Sequence, residues 1–158
     1  MTVQVKYVNG MPLYRQEKDW LQYGFELSRA TMANWVIECT DKYLRVLYEF
    51  YHRLLLSRGF AMADESPIQV LKEEEREATA KSYVIGRKGW LFSDSPEGAE
   101  ASAISYSIAE TALANGLNVY KYITYVLEKR PTEEMADSEL EKLLPWNDKV
   151  FEICKIER

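Results

Sequence analysis

The sequence predicts an α+β, helix-rich chain, with a helical N-terminal third, a small β element and C-terminal helices. Three observations predict it. Apolar residues recur at helical spacing before Gly59 and again between Pro96 and Arg130. From Phe60 to Asp94, short apolar stretches are broken by Pro67, by a charged run and by glycines, which is a strand-and-turn pattern. Helix-starting and helix-stopping residues bracket the periodic segments. The chain accordingly divides into 1–59, 60–94 and 95–158.

The first predicted helix is Pro12 to Tyr23 (PLYRQEKDWLQY), with Leu13, Glu17, Trp20 and Leu21 at helical spacing and Gly24 placed to end it. Ser28 is the cap of a second helix that opens at Arg29 and carries Met32, Trp35, Val36 and Cys39 on one side. Two short helices joined by a Gly-containing turn outline a helix-turn-helix. Arg29, Thr31 and Asn34 then lie where base edges are usually read. The alternative is an ordinary helical hairpin. Periodicity continues through Tyr43, Leu44, Leu47, Phe50, Tyr51, Leu54 and Leu55 and stops at Gly59, as one long helix or as two with a bend near Thr40.

In the middle segment, FAMADESPIQVL predicts strand, turn, strand, and Lys72 to Lys81 (KEEEREATAK) a solvated turn. KSYVIGR and GWLF predict further strands. Ser95-Pro96 starts an Ala- and Ser-rich helix closed by Gly116, and its small residues (Gly98, Ala99, Ala101, Ala103) permit close packing. Asn118 caps the next helix, which Pro131 ends, and a last short helix covers Ser138 to Leu144.

Of the 158 residues, 47% are hydrophobic and 28% charged, with eleven Tyr and four Trp, so a packed core is expected rather than disorder. No apolar run approaches the roughly 20 residues needed to span a bilayer, and Met1 to Gly10 lacks a secretory signal pattern. Neither a membrane nor a small-molecule substrate is expected as a partner, and the expected location is cytoplasmic. Cys39 and Cys154 are far apart and His52 is the one histidine, too few ligands for a zinc site. Both cysteines are expected to pack as small hydrophobes. Charge is uneven. Met1 to Arg58 holds eight Lys/Arg against six Asp/Glu, net +2, and the remainder twelve against nineteen, net −7. Phosphate neutralisation favours basic surfaces, so only the first third suits DNA.

Two blocks resemble one family. The first is YRQEKDWLQYGFELSRATMANWVIECTDKYL, Tyr14 to Leu44, continuing in ADESPIQVLKEEEREATAKSY, Ala63 to Tyr83. The second begins at Val84 with VIGRKGWLFSDSPEGAEASA, runs through ETALANGLNVYKY to Glu128, and includes LEKLLPWN, Leu140 to Asn147. Both are similar to the transposase of the insertion-sequence sixty-six family, bacterial mobile elements of the DDE type. The resemblance implies an RNase H-like catalytic domain. Its two Asp and one Glu hold two divalent ions, Mg²⁺ or Mn²⁺, that drive phosphoryl transfer on element-end DNA.

The first Asp of that triad matches Asp64, which makes it the implied catalytic and metal residue. The second Asp and the Glu normally lie between the two blocks, and here Tyr83 is followed directly by Val84. Glu65 would point to the opposite face of a strand from Asp64. Glu73, Glu74 and Glu75 fit a solvated turn, and Asp94 has no such role in the family. Arg87 and Lys88 follow the missing Glu position and are the candidate phosphate contacts of the second block. The small β element is read as a remnant of the RNase H-like sheet. The expectation is an internally deleted, inactive transposase without a functional metal. The alternative is a fragment that binds element ends or joins an intact transposase and inhibits it.

Overall fold

A computed structural model describes residues 2–58, 66–70, 81–84, 92–93 and 95–156. Helix α1 spans Thr2–Tyr7, α2 Leu13–Gln22 and α3 Arg29–Cys39. A π-helical turn, Thr40–Leu44, joins α3 to α4, Arg45–Leu56. After the middle segment come α5, Pro96–Ala114, α6, Val119–Lys129, and α7, Asp137–Leu140, which runs into a 3₁₀ turn, Glu141–Leu143. Helix α8 covers Asp148–Cys154.

The helix boundaries follow local chemistry. Ser28 Oγ accepts the Thr31 N–H at 3.1 Å, Ser95 Oγ accepts that of Gly98 at 3.2 Å, and Asn118 Oδ1 accepts that of Lys121 at 3.1 Å. Gly24 ends α2 at φ +80°. The Gly24 N–H reaches the Leu21 carbonyl, the Phe25 N–H reaches that of Trp20, and the Phe25 and Trp20 rings meet edge to face. Gly116, at φ +74°, ends α5 with the same bond pattern onto Leu113 and Ala112. Helices α1 and α8 went unpredicted. Their signals were short: Val3 and Tyr7 on one face, and Asn147 capping ahead of Val150 and Cys154.

The expected α+β class is corrected. The packed body is helical throughout, and every buried residue of both core clusters lies in a helix or a connection between helices. Short extended segments at Ser66–Val70, Lys81–Val84 and Phe92–Ser93 pair with one another, the first lying between the other two. The described residues hold this three-strand pairing and no RNase H-like sheet. The physical reason is size. The described strands are five, four and two residues long, while α5 alone runs for nineteen.

The larger cluster joins Leu44, Leu47 and Phe50 from the first half of the chain to Ile104, Ile108, Tyr122 and Val126 from the second. The smaller sets Val3, Tyr7 and Val36 against Ala109 and Ile123. Helix α5 is the common partner. Its buried Ala99, Ala101, Ser102, Ser105, Ala109 and Ala112 carry little bulk, so helices approach it closely on both sides. The predicted helical stripes are half right. Met32 and Val36 are buried, but Trp35 is 49% exposed and Leu21 58%. Periodicity marks a face that can be covered, and nothing among the described residues covers these two. Cys154 is buried in the larger cluster and Cys39 packs against the smaller, as small hydrophobes do.

Candidate functional site

The hairpin α2–α3 places the three candidate base-reading residues. Arg29 opens α3, Thr31 lies in its first turn and Asn34 is exposed one turn on. Glu17 of α2 occupies the position an anion would take. Its carboxylate accepts the Arg29 backbone N–H at 2.9 Å and pairs with the Arg29 guanidinium at 3.1 Å. A helix N-terminus attracts negative charge, and here the chain supplies its own. A phosphate at this point must displace Glu17. Thr31 is engaged locally, through its N–H and hydroxyl, by Ser28. The sequence pattern located these residues but not the Glu17 contact, which depends on how α2 lies beside α3.

Asp64, Glu65, Glu73, Glu74, Glu75, Arg87, Lys88 and Asp94 all lie outside the described residues. The structure therefore brings together Arg29, Thr31 and Asn34 and leaves the other candidates unplaced. Among the described residues, no group of three or more His, Cys, Asp or Glu side chains is set to hold a metal ion. No described helix is long and apolar enough to cross a membrane.

Two further features had no sequence signal. An open cleft of 410 Å³ lies between the end of α4 and the start of α8, lined by Leu54, Arg58, Glu141, Leu144, Trp146 and Asp148 among others. Its mixed charges and shallow form give no convergent set of reactive groups. Deeper in, the Tyr51 hydroxyl hydrogen-bonds that of Tyr122, which donates to the Leu143 carbonyl at 2.8 Å. Burial pushes both phenols well above the usual tyrosine range. Burial likewise raises the Cys39 and Cys154 thiols, so neither is poised as a nucleophile. His52 is exposed on α4 and stacks on Tyr48.

With the geometry in place, comparison with known proteins decides the family. Residues 1–85, more than half of the chain, match the family model described as Transposase IS66 family. The chain belongs to the IS66 transposase family. Residues 107–146, from mid-α5 past α7, also match a second model, the IS66 C-terminal element. Three proteins of Sinorhizobium fredii are similar. Uncharacterized protein y4jD is 31% identical over 59% of this chain and 18% of its own length. Uncharacterized protein y4hP is 25% identical over 90% of the chain and 23% of its own length. Uncharacterized protein y4qI is 31% identical over 55% of the chain and 14% of its own length. The chain thus spans 14% to 23% of the length of these relatives. No solved structure matches it. In family terms, the α2–α3 hairpin falls in the transposase model, and α6 and α7 fall in the C-terminal element.

Proposed function

We propose that this IS66-family chain derives from a transposase by internal deletion and does not catalyse DNA strand transfer. The observation that carries the reading is the donor set. Two divalent ions roughly 3.5–4 Å apart need several hard oxygen ligands between them. In this chain only Asp64 matches a member of the family triad, and Tyr83 is followed at once by the block that should come after the third. The match to the transposase model ending at residue 85, close to that junction, supports the same reading. The residues present do not fit a two-metal centre, and no catalytic step is derived through Mg²⁺ or Mn²⁺. Purified chain incubated with element-end DNA and either ion is expected to leave the DNA neither nicked nor joined. Metal-dependent cleavage that disappears in Asp64→Ala overturns the proposal.

A second reading rests on the capped α2–α3 hairpin with Arg29 and Asn34 exposed. In it the chain binds element ends, or assembles with an intact transposase, without turnover. Electrostatic binding weakens with salt, so gel shifts at low and moderate salt measure it. Asn34→Ala is the cleaner probe because that side chain is solvent-facing, whereas Arg29→Ala also breaks the ion pair with Glu17. Loss of binding in both variants supports the recognition helix; unchanged binding in both removes it.

A further inference from the structure

Two Asn-Gly pairs occur in the sequence, Asn9–Gly10 and Asn115–Gly116, and the fold treats them differently. Such a pair favours turns, and glycine leaves its own nitrogen unshielded by any side chain. The second pair closes α5. The Asn115 side-chain amide donates to the Thr111 carbonyl at 2.8 Å, and the Gly116 N–H donates to that of Leu113 at 3.0 Å. At ψ 11° for Asn115, the Gly116 nitrogen is turned away from the Asn115 side-chain carbon. The Gly116 carbonyl accepts the Ile156 N–H at 3.4 Å, and Leu117 beside it is fully buried. The first pair lies in the link between α1 and α2, and both of its residues are exposed. Bonds flank it, from the Val8 N–H to the Gln4 carbonyl at 2.8 Å and from the Met11 N–H to that of Val5 at 3.2 Å. Among the described residues, neither the Asn9 side chain nor the Gly10 N–H has a hydrogen-bond partner. A methyl group placed on Gly10 would meet nothing within 4 Å.

We infer that Asn9–Gly10 is a spontaneous modification site, converting to aspartate and isoaspartate, and that the fold withholds the same reaction from Asn115–Gly116. The chemistry is internal to the pair and takes only water. The Gly10 backbone nitrogen attacks Asn9 Cγ and a new N–C bond forms. The Cγ–Nδ2 bond breaks, and the Gly10 amide proton leaves with that nitrogen as ammonia. Water then opens the five-membered imide at one of its two carbonyls, and nothing is oxidised or reduced. Opening at Cγ gives aspartate on the normal backbone. Opening at the main-chain carbonyl gives isoaspartate, in which the backbone runs through the side chain. Ring closure needs a glycine nitrogen free to rotate onto the asparagine side chain. The exposed link has that freedom, whereas the bonded end of α5 must open first. Either product adds a carboxylate to the third of the chain whose charge suits DNA, and isoaspartate also lengthens the link between α1 and α2.

The experiment follows the full-length chain in neutral to mildly alkaline buffer, folded in one series and held in urea in the other. Samples are digested under mildly acid conditions, and mass spectrometry scores amide loss at each pair. Methyl transfer from S-adenosylmethionine by an isoaspartyl methyltransferase measures the isoaspartate. The ratio of the Asn9 rate to the Asn115 rate is expected to be at least about tenfold larger in the folded series than in urea, because reaction at Asn115 waits on opening of the α5 end. Asn9→Gln, a change at an exposed position, should remove the methyl-accepting signal of the folded chain. A folded-state ratio no larger than the ratio in urea overturns the inference, and so does an Asn9 that resists conversion when folded.

Discussion

Tyr122 is fully buried, accepts from the Tyr51 hydroxyl, and donates to the Leu143 carbonyl. Removing its hydroxyl strips two groups of their partner at once. Tyr122→Phe is expected to destabilise the fold by about 1–3 kcal/mol, the cost of unsatisfied buried polar atoms, read from urea unfolding. Loss of less than a few tenths of that range would mean that water replaces the hydroxyl. The pair also sets an alkaline limit. Burial raises the folded-state pKa of Tyr51 from 10.0, so the folded chain holds a proton that the unfolded chain releases. The stabilisation is whole below pH 10 and declines as pH rises beyond it. Wild type should therefore lose stability above that pH more steeply than Tyr51→Phe. Parallel pH profiles for the two proteins would refute the assignment.

At the scale of single elements, the hairpin α2–α3 is fixed by its ends. Gly24 supplies the left-handed residue, the Phe25 and Trp20 rings close the turn, and Ser28 caps the helix that follows. Ser28→Ala should cost about 0.5–2 kcal/mol, measured by chemical denaturation, with the overall helix content kept. A neutral result would shift the burden to the Glu17 contact with the Arg29 N–H. The π turn at Thr40–Leu44 is the other element-level device. Its wider turn, with the Arg45 N–H bonded to the Thr40 carbonyl, rotates α4 relative to α3. Val36 thereby meets Ala109 in the smaller cluster, while Leu44 and Leu47 meet the larger. The bend near Thr40 was one of two options in the sequence. A uniform apolar stripe does not reveal a turn with one extra residue.

Across the whole molecule, α5 links the two clusters, and a change at its centre should be felt at both ends of the chain. Ile108 is fully buried in the larger cluster. Ile108→Ala is expected to cost about 2–5 kcal/mol through lost burial and the cavity left behind. Far-UV circular dichroism and tryptophan fluorescence should shift together, since Trp20 and Trp35 report the first half and Trp146 the second. Separate midpoints would show that the halves unfold independently.

The sequence by itself determined the family phrases, the capped starts at Ser28, Ser95 and Asn118, and the glycine stops at Gly24 and Gly116. These are local matters of side-chain chemistry within a few residues of backbone, or of order along the chain. Tertiary structure alone decided the class, which is helical where a helix-rich α+β chain with a small β element was expected, because class depends on which surfaces bury one another. It decided that Trp35 faces solvent while Met32 and Val36 do not. It also decided that Glu17 sits at the start of α3, beside the Arg29 that the hairpin pattern set where base edges are read. Contacts of that kind join residues far apart along the chain, and periodicity carries no record of them.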